Sequence, residues 1–215
     1  MIFSALSVFA QNGILRELSG NVELKSAGAS SFVAANVGDQ VAQDTIISTG
    51  FKSTALVEIG STLIAVRPLT RLTLTEVSSS VGAETLNVNL AAGRVKVDVN
   101  PPAGTRASTS VTSPSATASV RGTSLLVDLL NCKTLEGTVD CKQANGMYSY
   151  MVSAGLIATV GSDGKIVDPV MSYMSNLKPK LPSGSGVASG GSEGGGDSSS
   201  ENSTSEGSVN VGLVY

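Results

Sequence analysis

The sequence predicts an all-β fold, and three observations carry that reading. Aromatic residues make up only 4% of the chain and Trp is absent. Burial must therefore come from Val, Leu, Ile and Ala, which pack well on pleated surfaces. From Gly13 to Asp128 small β-branched or apolar residues alternate with polar ones, the period of a half-buried strand. Gly20, Gly60, Gly93, Gly137 and Gly155 each open a short cassette of glycine followed by an alternating strand. The cassettes are irregularly spaced, which excludes a strict repeat array. They predict an irregular β-solenoid in which each turn covers the apolar face of the next, with a β-sandwich as the alternative.

Strand signals begin after Gln11 and Asn12, at 14–18, 22–25, 32–34, 45–48, 56–59 and 63–66. They continue at 72–77, 86–90, 95–99, 107–112, 119–120 and 125–129, all short and separated by turn residues. Asp163 and Gly164 lie between 156–160 and 165–167. Glycine tolerates the positive φ of a tight turn, so this pair predicts a hairpin that closes the domain. Asp168 and Pro169 then offer an N-cap followed by proline at the first helical position. Val170, Met171, Met174 and Leu177 fall at helical spacing, predicting a short capping helix that Pro179 and Pro182 stop.

Residues 183–215 are mostly Ser and Gly, with Glu193, Asp197, Glu201 and Glu206 and no Lys or Arg. Such a segment buries too little surface to offset its ordering entropy, so a disordered acidic tail is expected. Residues 209–215 alternate once more, as a frayed terminus or as a strand that pairs on another surface. One all-β domain over 13–182 follows. Of the chain's net charge of −3 the tail holds −4, leaving the body at +1. A body this near neutrality lacks the basic stripe that nucleic acid requires.

Residues 1–10 are apolar and small, and Val8, Phe9 and Ala10 make the ending expected before a signal-peptidase cut. We read them as the end of a truncated signal peptide, the alternative being a buried first strand. No stretch approaches the roughly 18 uninterrupted apolar residues of a spanning helix. In an exported chain Cys132 and Cys141, the only two cysteines, read as a disulfide. A loop this short is worth about 2.5–3 kcal/mol in the chain-entropy account.

Histidine is absent altogether. That removes the usual general base of Ser and Cys hydrolases and the commonest ligand of catalytic zinc. A zinc site would have to come from two thiolates and carboxylates, an uncommon set. Neither metal nor cofactor is expected. Gly184 and Gly186 lack the preceding strand and following helix of a dinucleotide loop. The Asn202 sequon has meaning only in a eukaryotic secretory route. Carboxylate chemistry remains open through Asp128, Glu136 and Asp140, since a glycosidase needs only two acids. Alternating strands would ordinarily turn such acids to solvent.

Read together, GNVELK, GDQVAQDTIISTG, STALVEIGSTLIAVRP, TRLTLTEV, LNVNLAAGRVKVDV and TSPSATASVRGTSLLVD resemble the FecR domain, a module of bacterial cell envelopes. The resemblance runs from Gly13 to Asp168 and implies a twisted, solenoid-like all-β body. In the family a turn such as Ser113-Pro114 precedes an Arg-Gly-Thr step into an apolar strand, matched here by Arg121, Gly122 and Thr123 before 124–129. An arginine next to Val120 in a core-forming region should send its guanidinium to a carboxylate or to backbone carbonyls. Arg121 is therefore expected to be a structural staple.

Longer relatives relay the state of an outer-membrane receptor to a cytoplasmic sigma factor. This chain departs from that plan, with no long N-terminal region, spanning helix or ordered receptor-binding extension, so the full relay does not follow for it while a link to envelope signalling stays open. The expectation is a non-enzymatic exported module, periplasmic, at the cell surface or secreted, that binds an envelope protein or glycan. A glycan-cleaving β-solenoid enzyme is the alternative.

Overall fold

The computed structural model describes residues 12–144, 146–161 and 164–169. Eighteen strands account for most of them. The first seven are β1 (Gly13–Ser19), β2 (Val22–Lys25), β3 (Val33–Ala34), β4 (Gln40–Val41), β5 (Ile46–Thr49), β6 (Thr54–Ile59) and β7 (Thr62–Val66). Next come β8 (Arg71–Ser80), β9 (Ala83–Ala92), β10 (Arg94–Val99), β11 (Arg106–Thr112), β12 (Ala116–Val120) and β13 (Ser124–Asp128). The last five are β14 (Asn131–Glu136), β15 (Thr138–Gln143), β16 (Ser149–Ser153), β17 (Ile157–Val160) and β18 (Ile166–Val167).

They form two nine-stranded sheets that do not close into a barrel. The first runs β18-β17-β14-β13-β10-β7-β6-β1-β4 and the second β16-β15-β12-β11-β9-β8-β5-β2-β3. The layering is that of a sandwich. Strand order nevertheless advances with the sequence along both sheets, apart from β1 and β4 at one end and β2 and β3 at the other sheet's end. This progress through space is the solenoid-like aspect. Pairing is antiparallel except between β9 and β11, which run parallel after the 100–105 crossover.

Period-2 alternation explains the layers. In β6, β7 and β10 every second residue is buried, putting Val57, Ile64, Val66, Val95 and Val97 in the core and their neighbours outside. Facing strands of the second sheet supply Ile47, Leu72, Leu74, Val88 and Leu90. Aliphatic residues build most of this interior, with Cys132 and Cys141 among them. Threonines join the layers. Thr62 and Thr109 share a buried hydroxyl contact at 3.3 Å, and Thr134 Oγ1 donates to the Val152 carbonyl at 2.8 Å.

All five cassette glycines have positive φ, from 55° to 86°. Each marks the step at which the chain turns into its next strand, where an L side chain would be strained. At Gly93 space is also denied: a Cβ would lie 2.5 Å from Thr70 Cα and 2.6 Å from the Leu69 carbonyl oxygen.

The sequence reading misses β4, β14 and β16. Cys132 and Thr134 alternate inward on β14, a signal masked when both cysteines are read as a loop. The expected final hairpin is present: Thr159 pairs with Val167 and Val160 with Ile166, and Gly164 has φ +74°. Its turn residue Asp163, the capping helix beyond Pro169, the signal at 1–10 and the acidic tail at 183–215 lie outside the described residues.

Candidate interaction surfaces

Arg121 is exposed in the turn joining β12 to β13. The expected buried ion pair is therefore corrected. Val120 is the last inward residue of β12, and the chain then leaves one sheet for the other, so the next side chain points to solvent. Among the described residues Arg121 makes no ion pair. Together with Arg106 and Glu84 it lines an open groove of about 490 Å³, where the Glu84 carboxylate accepts hydrogen bonds from the Ser61 backbone N–H (2.9 Å) and hydroxyl (2.6 Å).

The rest of the motif carries structure. Gly122 sits at φ +84°. The Thr123 carbonyl accepts the Val99 N–H at 3.0 Å, and a Cβ on Gly137 would lie 2.5 Å from Thr123 Cγ2. Arg-Gly-Thr is thus a crossing turn whose threonine packs beneath the next glycine.

Cys132 and Cys141 are both buried, and in the structure both are free thiols. They sit on β14 and β15, adjacent in sequence but in opposite sheets, so their side chains meet across the core. The hydrogen bond between the thiols, burial, and repulsion from a neighbouring thiolate all raise the Cys132 pKa. As thiols the pair would be inert to nucleophilic chemistry.

The three acids considered for carboxylate chemistry do not converge. Asp128 ends β13 beside Arg94 of β10, while Glu136 closes β14 at the opposite end of the same sheet. Asp140 lies in the other sheet, opposite Ser119 and Met151, and accepts a hydrogen bond from the Ser149 hydroxyl. Burial alone would raise the Asp128 pKa. The backbone N–H groups of Leu130 (3.0 Å) and Asn131 (2.8 Å), the Asn131 amide and Arg94 outweigh it and hold the carboxyl below its ordinary value. Asp128 is committed to the β13–β14 turn. Among the described residues no cluster of His, Cys, Asp and Glu could hold a metal.

Among the described residues two further surfaces are uncovered. One is a groove of about 650 Å³ flanked by Arg67, Leu69, Arg94, Asp128 and Leu130. The other is the edge formed by β16. Of the four edge strands, β3, β4 and β18 are two residues long, whereas β16 has five, without proline or charge, and exposes Met151.

The described residues form a two-layer β-sheet scaffold whose edge strands and turns are its candidate interaction surfaces. Residues 45–140, from the start of β5 into β15, match the model of the family described as FecR protein, the family whose motifs the sequence resembles. No curated protein matches the chain. Two crystal structures of a candidate anti-sigma factor from Parabacteroides distasonis ATCC 8503 are similar to it. One has a TM-score of 0.47 and 17% identity, covering 60% of this chain and 64% of that one. The other has a TM-score of 0.45 and 16% identity, covering 60% and 63%. The match therefore spans less than two thirds of those proteins' length. No helix among the described residues is long and apolar enough to cross a membrane.

Proposed function

We propose that the protein is a non-enzymatic module of the bacterial cell envelope, periplasmic or at the cell surface, that binds a partner protein and is linked to envelope signalling. The FecR match over 45–140 supports the setting. The β16 edge is the observation that carries the binding mode. Natural sheets blunt their edges by shortness, proline or charge. Three edges here are blunted by shortness and β16 is not. An extended segment of a partner, pairing its backbone with residues 149–153, would add a tenth strand to the second sheet. Met151, 67% exposed, would meet a side chain of that segment.

Proximity labelling with the full chain in intact cells identifies the partner, and Met151→Lys tests the mode. A lysine there places a charge on an open edge without disturbing a buried contact. The variant should keep its fold and lose most of the labelling. Undiminished labelling would exclude β16 as the site. Release of reducing ends from envelope polysaccharides by purified protein, abolished in the Asp128, Glu136 or Asp140 amide variants, would overturn the non-enzymatic reading.

A further inference from the structure

Three turns at one end of the sandwich carry exposed apolar side chains beside cations. Phe51, in the β5–β6 turn, is 74% exposed, Leu69, in the β7–β8 turn, 61%, and Leu130, in the β13–β14 turn, 52%. The turns are neighbours: the Leu69 N–H donates to the Gly50 carbonyl at 3.2 Å, and Leu69 and Leu130 flank the same groove. Lys52 lies 5.6 Å from the centre of the Phe51 ring. Arg67 continues β7 opposite Arg94, its N–H donating to the Arg94 carbonyl at 3.1 Å. Like charges directly opposite on adjacent strands are unfavourable. Arg94 is compensated by Asp128 at 3.3 Å, whereas Arg67 makes no ion pair among the described residues.

Backbone conformation adds an independent observation. Only three described non-glycine residues have positive φ, and two of them, Lys52 (52°) and Leu69 (57°), are in these turns. Non-glycine residues occupy this region at a cost, and such strain gathers at ligand contacts. Here it holds a cation and a leucine at the turn tips.

We propose that this end of the molecule docks on an anionic phospholipid surface. Phe51, Leu69 and Leu130 enter the headgroup region, and Lys52 and Arg67, which make no ion pair among the described residues, meet lipid phosphates. A phosphate at Arg67 relieves its repulsion with Arg94. The apolar groups project from three separate tips, a geometry suited to a soft interface that needs no matching pocket. Aromatic and aliphatic side chains gain by partial burial there, and each cation adds attraction to anionic lipid. The inference does not depend on the partner proposed for β16, which lies on another edge.

The test is co-sedimentation of the full chain with phosphatidylcholine vesicles and with vesicles in which about one third of the lipid is phosphatidylglycerol. Binding to the anionic vesicles should exceed binding to the neutral ones by at least about tenfold and weaken with salt. Phe51→Ser, and separately Lys52→Glu combined with Arg67→Glu, should each reduce it severalfold while circular dichroism shows the folded protein. No binding to anionic vesicles, or binding that both variants retain in full, would overturn the proposal. So would displacement by inorganic phosphate at matched ionic strength, which would mark a free-anion site. A folded Phe51→Ser variant that keeps vesicle binding but loses labelling of its partner protein would reassign the surface to that protein.

Discussion

Arg121 and Asp128 show how differently two charged residues, seven positions apart, serve one fold. Arg121 stands in solvent after the last inward residue of β12. Arg121→Ala should accordingly change stability by no more than about 0.5 kcal/mol in denaturant unfolding, the usual range for an exposed site without partners. A loss of several kcal/mol would restore the buried staple. Asp128 instead organises the β13–β14 turn through two backbone N–H groups, a side-chain amide and Arg94. Its folded pKa is lowered despite burial, which acts the other way. The stability it contributes is complete above the unfolded carboxyl value of about 3.9 and is lost as pH falls through the lower, folded value. Asp128→Asn should cost about 1–2 kcal/mol at neutral pH. The gap between wild type and variant should close below about pH 4. A gap independent of pH would mean that the turn does not depend on the charge.

The β14–β15 pair is where local sequence most misleads. Cys132 and Cys141 are separated by eight residues, and read along the chain they bracket a short loop. In space each belongs to a different sheet and their thiols meet in the core, so a bond between them would tie the layers together. Forming it removes two electrons and two protons, which a disulfide-donating oxidoreductase of the envelope would take up as its own disulfide is reduced. We expect intact mass to rise by two hydrogen atoms when envelope-derived protein is reduced. The oxidised form should be more stable by about 2.5–3 kcal/mol. Two free thiols in that material would refute the pairing and weaken the case for export.

For the whole molecule, the hydrophobic core of the described residues runs from Leu15 to Ile166. Nothing in it calls on residues 183–215, whose sequence is Ser, Gly and acid. Deleting 183–215 should leave the thermal unfolding midpoint within a degree or two of the full chain. A drop of several degrees would show that 209–215 docks on the body. Because each sheet grows roughly in sequence order, adjacent strands are close along the chain. The pairing widest in sequence is β1 with β6, where Ile14 lies opposite Glu58.

The sequence by itself determined the class of secondary structure, the inward residues of most strands, the aliphatic character of the core and the glycines at which the chain must turn. These follow from period-2 alternation and from backbone sterics, both local to a few residues. Alternation also separates the inward Val95 and Val97 from the outward Arg94 and Lys96 without any tertiary information. Only the tertiary structure decided which sheet each strand joins, because the same alternating segment can add to either layer. That choice put Cys132 opposite Cys141, turned Arg121 to solvent, left β16 as an open edge, and gathered Phe51, Leu69 and Leu130 at one end. Each is set by pairing register and by the direction in which the chain crosses between the sheets, which the local pattern of a strand does not encode.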